Sequence, residues 1–145
     1  MDNSKYDVLK LDNQLCFPLY VVAKETIRLY RPYLDPLGIT YTQYITMMVL
    51  WEYGTISVKD LGTKLFLDSG TLTPVIKALE KKGYITKTHS NVDERVVNVS
   101  VTNEGMSLRD KLVDLPPTMA KCVNLEKDEI VSLYKSLYKL LGKIV

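Results

Sequence analysis

Two thiols, Cys16 and Cys122, are the residues of this 145-residue chain best suited to redox chemistry. Cys16 lies in NQLCFPLY (13–20), an apolar run with Pro18 two residues downstream. A cysteine among apolar neighbours is ordinarily a small hydrophobe. At a helix start, where backbone N–H groups converge, it can instead be a reactive thiolate. The sequence leaves both readings open for Cys16. For Cys122 it leaves open a second redox thiol or a buried filler. The two cysteines match no zinc spacing. His89, the single histidine, gives only a thin basis for a Cys–His nucleophile pair. Glycine motifs of the Walker or dinucleotide-binding kind are absent. No metal, no cofactor and no enzymatic activity are therefore expected. A thiol peroxidase is the remote alternative, opposed by the lack of an evident charged partner for the cysteine.

A second constellation suits nucleic acid. SGTLTPVIKALEKKG (69–83) reads as a short helix with a buried stripe of Leu72, Ile76 and Leu79. Its N-terminal end, with Ser69, Thr71 and Thr73, is small and polar. Small residues let a backbone approach a groove, and hydroxyls bond bases or phosphates. Lys77, one turn past Thr73, suits a phosphate or a guanine. YITKTHS and RVVNVSVT then alternate as strands, with Val97, Val99 and Val101 on one face. The polar tip SNVDE joins them. Arg95 at that tip can reach a minor groove, and the Asp93 carboxylate two residues away can hold it in place. On these residues alone, a solvated lysine face and a plain turn at Gly70–Thr71 remain competing readings.

The elements that position these groups follow from periodicity and caps. Leu11–Tyr33 is expected as a helix, either kinked at Pro18 or beginning its regular part there. RPYLDPLGIT (31–40) ends it. Thr40 with Gln43 is a capping box for a helix over 41–53 that is apolar on most faces and so central. Ser57 and Asp60 cap a short helix over 58–66, and Gly83 stops the helix over 69–83. Thr102 opens a further helix, NEGMSLRDKLVDL, which Pro116 and Pro117 break or bend. The last helix, 126–144, carries Ile130, Leu133, Leu137, Leu140, Leu141 and Ile144 as a stripe. Two short helices followed by a two-stranded ribbon form the winged helix-turn-helix layout. The expected class is mainly α with a small β-wing. A single domain over 1–145 has its DNA-binding core at 41–102.

Composition is permissive. Hydrophobic residues make up 46% of the chain, enough for a core, and a net charge of +2 decides little. No apolar run approaches bilayer length, and MDNSKYDVLK lacks a signal-peptide core. A cytoplasmic protein with no membrane partner is expected.

LGTKLFLDSGTLTPVIKALEKKGYITKTHSNVDERVVNVSVTNEG resembles the DNA-binding core of the MarR family of bacterial repressors. The resemblance rests on Asp93-x-Arg95, the strand after it, and Thr102-x-x-Gly105. LDSGTLTP and NQLCF are similar to the organic-hydroperoxide-sensing branch of that family, and the likeness covers nearly the whole chain. It implies a homodimer built from helices within 1–38 and 103–145. Each protomer would offer a recognition helix (Ser69, Thr71, Thr73, Pro74, Lys77) and a wing (Asp93, Arg95). These would read half-sites of a near-palindromic double-stranded operator. The unpartnered stripe on the last helix agrees with a dimer.

The same resemblance implies that Cys16 is a peroxide sensor, with Tyr30 and Tyr41 donating hydrogen bonds to its sulfur and Tyr20 close by. Phenols stabilise an anion without adding a competing charge. Without the resemblance they read equally as packing residues. Phe17 and its apolar neighbours would favour organic hydroperoxides. The sulfenic acid formed would condense with a second thiol. In the family pattern Cys122 is the candidate, in an intersubunit disulfide that needs Cα atoms within ~7 Å; a small cellular thiol is the other route. The expected function is a redox-sensing repressor that leaves its operator when Cys16 is oxidised. The alternative is a repressor of the same family released by a small phenolic or lipophilic ligand, with inert cysteines. Pro18 departs from the branch's pattern and puts the sensor geometry in question.

Overall fold

The computed structural model describes residues 4–145. They fall into two units, one ending at Val113 and the other running from Asp114 to Val145.

In the first unit the chain enters through two 3₁₀ turns, Ser4–Leu9 and Leu11–Asn13. Helix α1 then spans Cys16–Leu34. Of the two readings for the helix expected from Leu11, the second holds: its regular part begins next to Pro18, at Cys16. As the third residue of α1, Pro18 needs no backbone donor. In a helix begun at Leu11 its ring would clash with the Gln14 carbonyl. The turns have their own bonds instead. The Gln14 side chain donates to the carbonyls of Val8 (2.6 Å) and Lys10 (2.9 Å), and that of Asn13 to Asp7 (2.7 Å). At the other end α1 runs through Pro32 to Leu34, one residue beyond the expected Tyr33. A 3₁₀ turn at Asp35–Leu37 and left-handed Gly38 (φ +65°) close it.

Helix α2 (Tyr41–Tyr53) opens on the expected capping box. Gln43 N–H donates to Thr40 Oγ1 and Thr40 N–H to Gln43 Oε1, both at 3.2 Å. Tyr44, Thr46, Met47 and Leu50 are buried, which makes α2 the centre of the unit. After Gly54 comes a strand that the sequence did not announce, β1 (Thr55–Ser57). Three residues between a glycine and a helix cap carry no alternation to read. Helix α3 (Val58–Leu65) is capped by Ser57, whose Oγ accepts Asp60 N–H at 3.0 Å. Helix α4 (Ser69–Lys81) follows, then β2 (Ile85–His89) and β3 (Val97–Val101). The ribbon is therefore a three-stranded antiparallel sheet in the order β1-β3-β2, with Ile56 opposite Val99 and Ile85 opposite Val101. Helix α5 (Asn103–Leu112) closes the unit. Thr102 fastens its start: its Oγ1 accepts Gly105 N–H at 3.1 Å and donates to the Gly83 carbonyl at 2.6 Å.

The second unit holds α6 (Leu115–Val123) and α7 (Lys127–Ile144). Pro116 and Pro117 do more than break the preceding helix. They occupy the first turn of α6, where missing N–H groups cost nothing. In α7 no residue is buried in the single chain. Its stripe residues Ile130, Leu133 and Leu137 remain 38%, 44% and 42% exposed. Among the described residues no helix is long and apolar enough to cross a membrane.

Candidate functional site

Helix α4 presents two faces. Leu72, Ile76 and Leu79 are buried, as their spacing requires. Ser69, Thr71, Thr73, Pro74 and Lys77 are all exposed. The helix start is set by Asp68, whose carboxylate accepts Thr71 N–H at 2.8 Å. The hydrogen bonds from Thr71 hold the Asp68 carboxyl below its ordinary pKa. A depressed carboxyl stabilises the fold above its unfolded pKa and loses that contribution as pH falls through the lowered value. The cap therefore persists through neutral pH and fails only in acid. Thr73 Oγ1 donates to the Ser69 carbonyl at 2.6 Å, so its hydroxyl faces a ligand mainly as an acceptor. Pro74 brings no N–H, which leaves the Gly70 carbonyl without its intrahelical donor.

The wing tip is a closed hydrogen-bonded loop. Ser90 N–H donates to the Val96 carbonyl (2.8 Å) and Val96 N–H to the Asp93 carbonyl (2.9 Å). Asp93 does hold Arg95, but through the backbone: its Oδ1 accepts Arg95 N–H at 3.0 Å. The carboxylate meets the Arg95 amide rather than its guanidinium. The carboxylate closes a tight turn on the amide two residues ahead, and the Arg95 guanidinium has no ion-pair partner among the described residues. An unpaired, exposed guanidinium on a braced loop is suited to a phosphate or a narrow groove.

The thiols are both free and exposed. Cys16 is the first residue of the 19-residue α1, and no side chain caps the start of that helix. Its side chain therefore lies in the first turn of the helix. Tyr20, four residues on, shares its face. Tyr30 lies near that face too but out of reach, because at 1.5 Å per residue it stands ~21 Å along the same helix. Tyr30 packs instead on Tyr41 (ring centroids 4.8 Å apart, edge-on) and on Tyr44 (5.8 Å). Burial raises the phenol pKa of Tyr30, with Tyr41 adding to the shift, and burial raises that of Tyr41. Burial, with Tyr30 and Tyr41 adding to it, pushes Tyr44 up to about 12. All three phenols therefore stay protonated, and able to donate, far above neutral pH. Tyr44 belongs to this cluster although sequence reasoning left it out; its buried place on α2 was the available signal. Cys122 lies near the end of α6. Among the described residues no group of three or more metal-ligating side chains converges.

A model of the transcriptional regulators SarA/Rot matches residues 28–112. The chain belongs to this family. Across 97% of its length it is 45% identical to the organic hydroperoxide resistance transcriptional regulator of Bacillus subtilis, covering 95% of that protein. Among solved structures it is similar to reduced AbfR bound to DNA, at 30% identity and a TM-score of 0.79 over 99% of both chains. It is also similar to a MarR mutant from E. coli complexed with operator DNA. There identity is 29% and the TM-score 0.77, over 88% of this chain and 93% of that one. The SarA/Rot match begins on α1 and ends with α5, so it contains α4 and the whole wing. This regulator is a DNA-binding transcriptional regulator with a MarR-like winged helix.

Proposed function

We propose that this regulator is a homodimeric repressor that holds a near-palindromic operator while Cys16 is reduced and releases it when an organic hydroperoxide oxidises that thiol. The observation that carries the reading is the place of Cys16: exposed, at the uncapped start of a long helix. The name of the Bacillus subtilis relative, an organic hydroperoxide resistance regulator, points the same way. The thiolate attacks the terminal peroxide oxygen, the O–O bond breaks, and the departing alkoxide takes a proton to leave as an alcohol. Cys16 is then a sulfenic acid, which a second thiol converts to a disulfide with loss of water.

Dimerisation belongs to the same reading. The exposed stripe of α7 needs cover, and helices within 1–38 and 103–145 supply the interface. The ~21 Å between Cys16 and Tyr30 on one helix then acquires a meaning. The phenols of Tyr30 and Tyr41 can serve a sulfur only if it comes from the second copy, with two α1 helices running antiparallel about the dyad. Tyr20 is the tyrosine that can serve the thiol of its own chain.

The deciding experiment follows operator binding and intact mass together. One equivalent of an organic hydroperoxide should add mass to the protein and weaken operator binding, and a thiol reductant should reverse both. Mass gain without loss of binding overturns the proposal. Cys122→Ser tests the resolving route. If Cys122 is the resolving thiol, the variant still senses peroxide but no longer forms a reducible covalent dimer. A covalent dimer persisting in Cys122→Ser removes Cys122 from the mechanism.

Ser69, Thr71, Thr73, Pro74 and Lys77 are proposed as the groove-facing set, with Arg95 of the wing as a second contact. Arg95→Ala should weaken operator binding and lower the slope of log affinity against log salt by about 1, the signature of one lost phosphate-type contact. Unchanged affinity and slope would take the wing out of the interface.

A further inference from the structure

We infer that His89 is a positioning residue for the wing, holding Arg95 at the spacing from α4 that operator binding requires. The inference rests on the reading that Arg95 contacts DNA. On β2, Ile85, Lys87 and His89 share one face, opposite Val101, Val99 and Val97 of β3. Ile85 at the base of the hairpin and Val99 opposite Lys87 are buried on that face. Further out, where the hairpin leaves the core, the same face makes two polar ties. Lys87 Nζ meets Glu80 Oε2 of α4 at 3.1 Å. His89 Nδ1 lies 3.0 Å from the carbonyl oxygen of Glu94, the residue before Arg95. A carbonyl only accepts, so Nδ1 carries the proton and donates. One strand face thus ties the recognition helix at one position and the wing tip two residues later.

These ties add little to stability. The Lys87–Glu80 pair is about 40% exposed on each side, and half-exposed pairs contribute little. Their consequence is geometric. The Asp93 turn and the Ser90 bonds close the loop upon itself, but they do not orient it on the strand. Among the described residues, the His89 side chain supplies a tie from the strand body to the peptide that carries Arg95.

The test uses the full-length reduced protein and three substitutions. Asn places its side-chain N–H₂ close to where histidine has Nδ1, whereas Gln places it nearer Nε2. His89→Ala and His89→Gln should each lose about fivefold in operator affinity, the cost of one ordinary hydrogen bond, and His89→Asn should restore it. Amide exchange over residues 90–96 should be faster in the Ala variant and near normal in the Asn variant. Full affinity in His89→Ala, or an Asn variant as weak as the Ala one, overturns the inference. Arg95→Ala, measured in parallel, separates the two claims. If Arg95→Ala binds normally, the wing reading itself fails. If only Arg95→Ala weakens binding, the wing stands and the role of His89 is withdrawn.

Discussion

Cys16→Ser should bind operator DNA as tightly as the unsubstituted regulator and keep it bound in the presence of an organic hydroperoxide. Serine preserves the size and exposure of the side chain at the start of α1, so the proposed dimer interface and the α4 surface are left as they are. What it removes is the nucleophile, since a neutral hydroxyl does not attack a peroxide O–O bond where a thiolate does. The expected contrast is large. Coupling between a sensor and a distant binding surface is typically worth about 5- to 150-fold in affinity. That is the drop expected for the oxidised unsubstituted protein and absent in the variant. Binding titrations with and without peroxide read it directly. A serine variant that still releases DNA on treatment with peroxide would place the sensor elsewhere, Cys122 first.

Which parts of this molecule could be read from its residues depended on whether a local signal outweighed tertiary context. The buried stripe of α4, the Thr40–Gln43 box and the Ser57 cap each involve residues within one or two turns of each other. Such signals survive into the fold. At the start of α1 the residues left two readings, a kink at Pro18 or a regular helix beginning there, and the fold takes the second, with Pro18 in the first turn. Strand β1 was invisible because its pairing with β3 joins residues more than forty positions apart. α6 was missed because Pro116 and Pro117 read as breakers, and only its residues beyond the first turn show that they begin a helix. The types at the wing were legible, but the use of Asp93 was not: the sequence places a carboxylate near Arg95 without saying whether it meets the guanidinium or the amide. The thiol site divides in the same way. Cys16 and Tyr20 are one turn apart and can be paired on paper. Placing Tyr30 beyond the reach of Cys16 takes a continuous helix from 16 to 34, which an early kink at Pro18 would have interrupted.

Gly105→Ala should be the most destabilising single methyl that can be added to this regulator's DNA-binding unit. Thr102-x-x-Gly105 is the motif where α5 leaves the sheet. A Cβ at position 105 would lie 2.2 Å from the Tyr84 carbonyl oxygen, 2.8 Å from Val101 Cγ2 and 3.2 Å from Met47 Cε. The methionine can give way, but the carbonyl cannot. It accepts Thr102 N–H at 3.0 Å, and Thr102 in turn bonds Gly83 and caps α5. The Gly105 carbonyl is also engaged, accepting the Trp51 indole N–H at 2.8 Å. Relieving the clash therefore means moving α5 away from α2, the end of α4 and β3 together. Overpacking a rigid site costs about 3 kcal/mol or more, about 10 °C in Tm for a chain of this size. Trp51→Phe provides the scale. It removes the indole donor and part of the ring that meets Tyr44, an expected loss of about 1–2 kcal/mol. Thermal unfolding of the two variants should rank Gly105→Ala well below Trp51→Phe, with operator affinity falling in parallel because the wing and α4 meet at this junction. If Gly105→Ala is the milder of the two, the junction is plastic, and the glycine of the motif is not there for close packing.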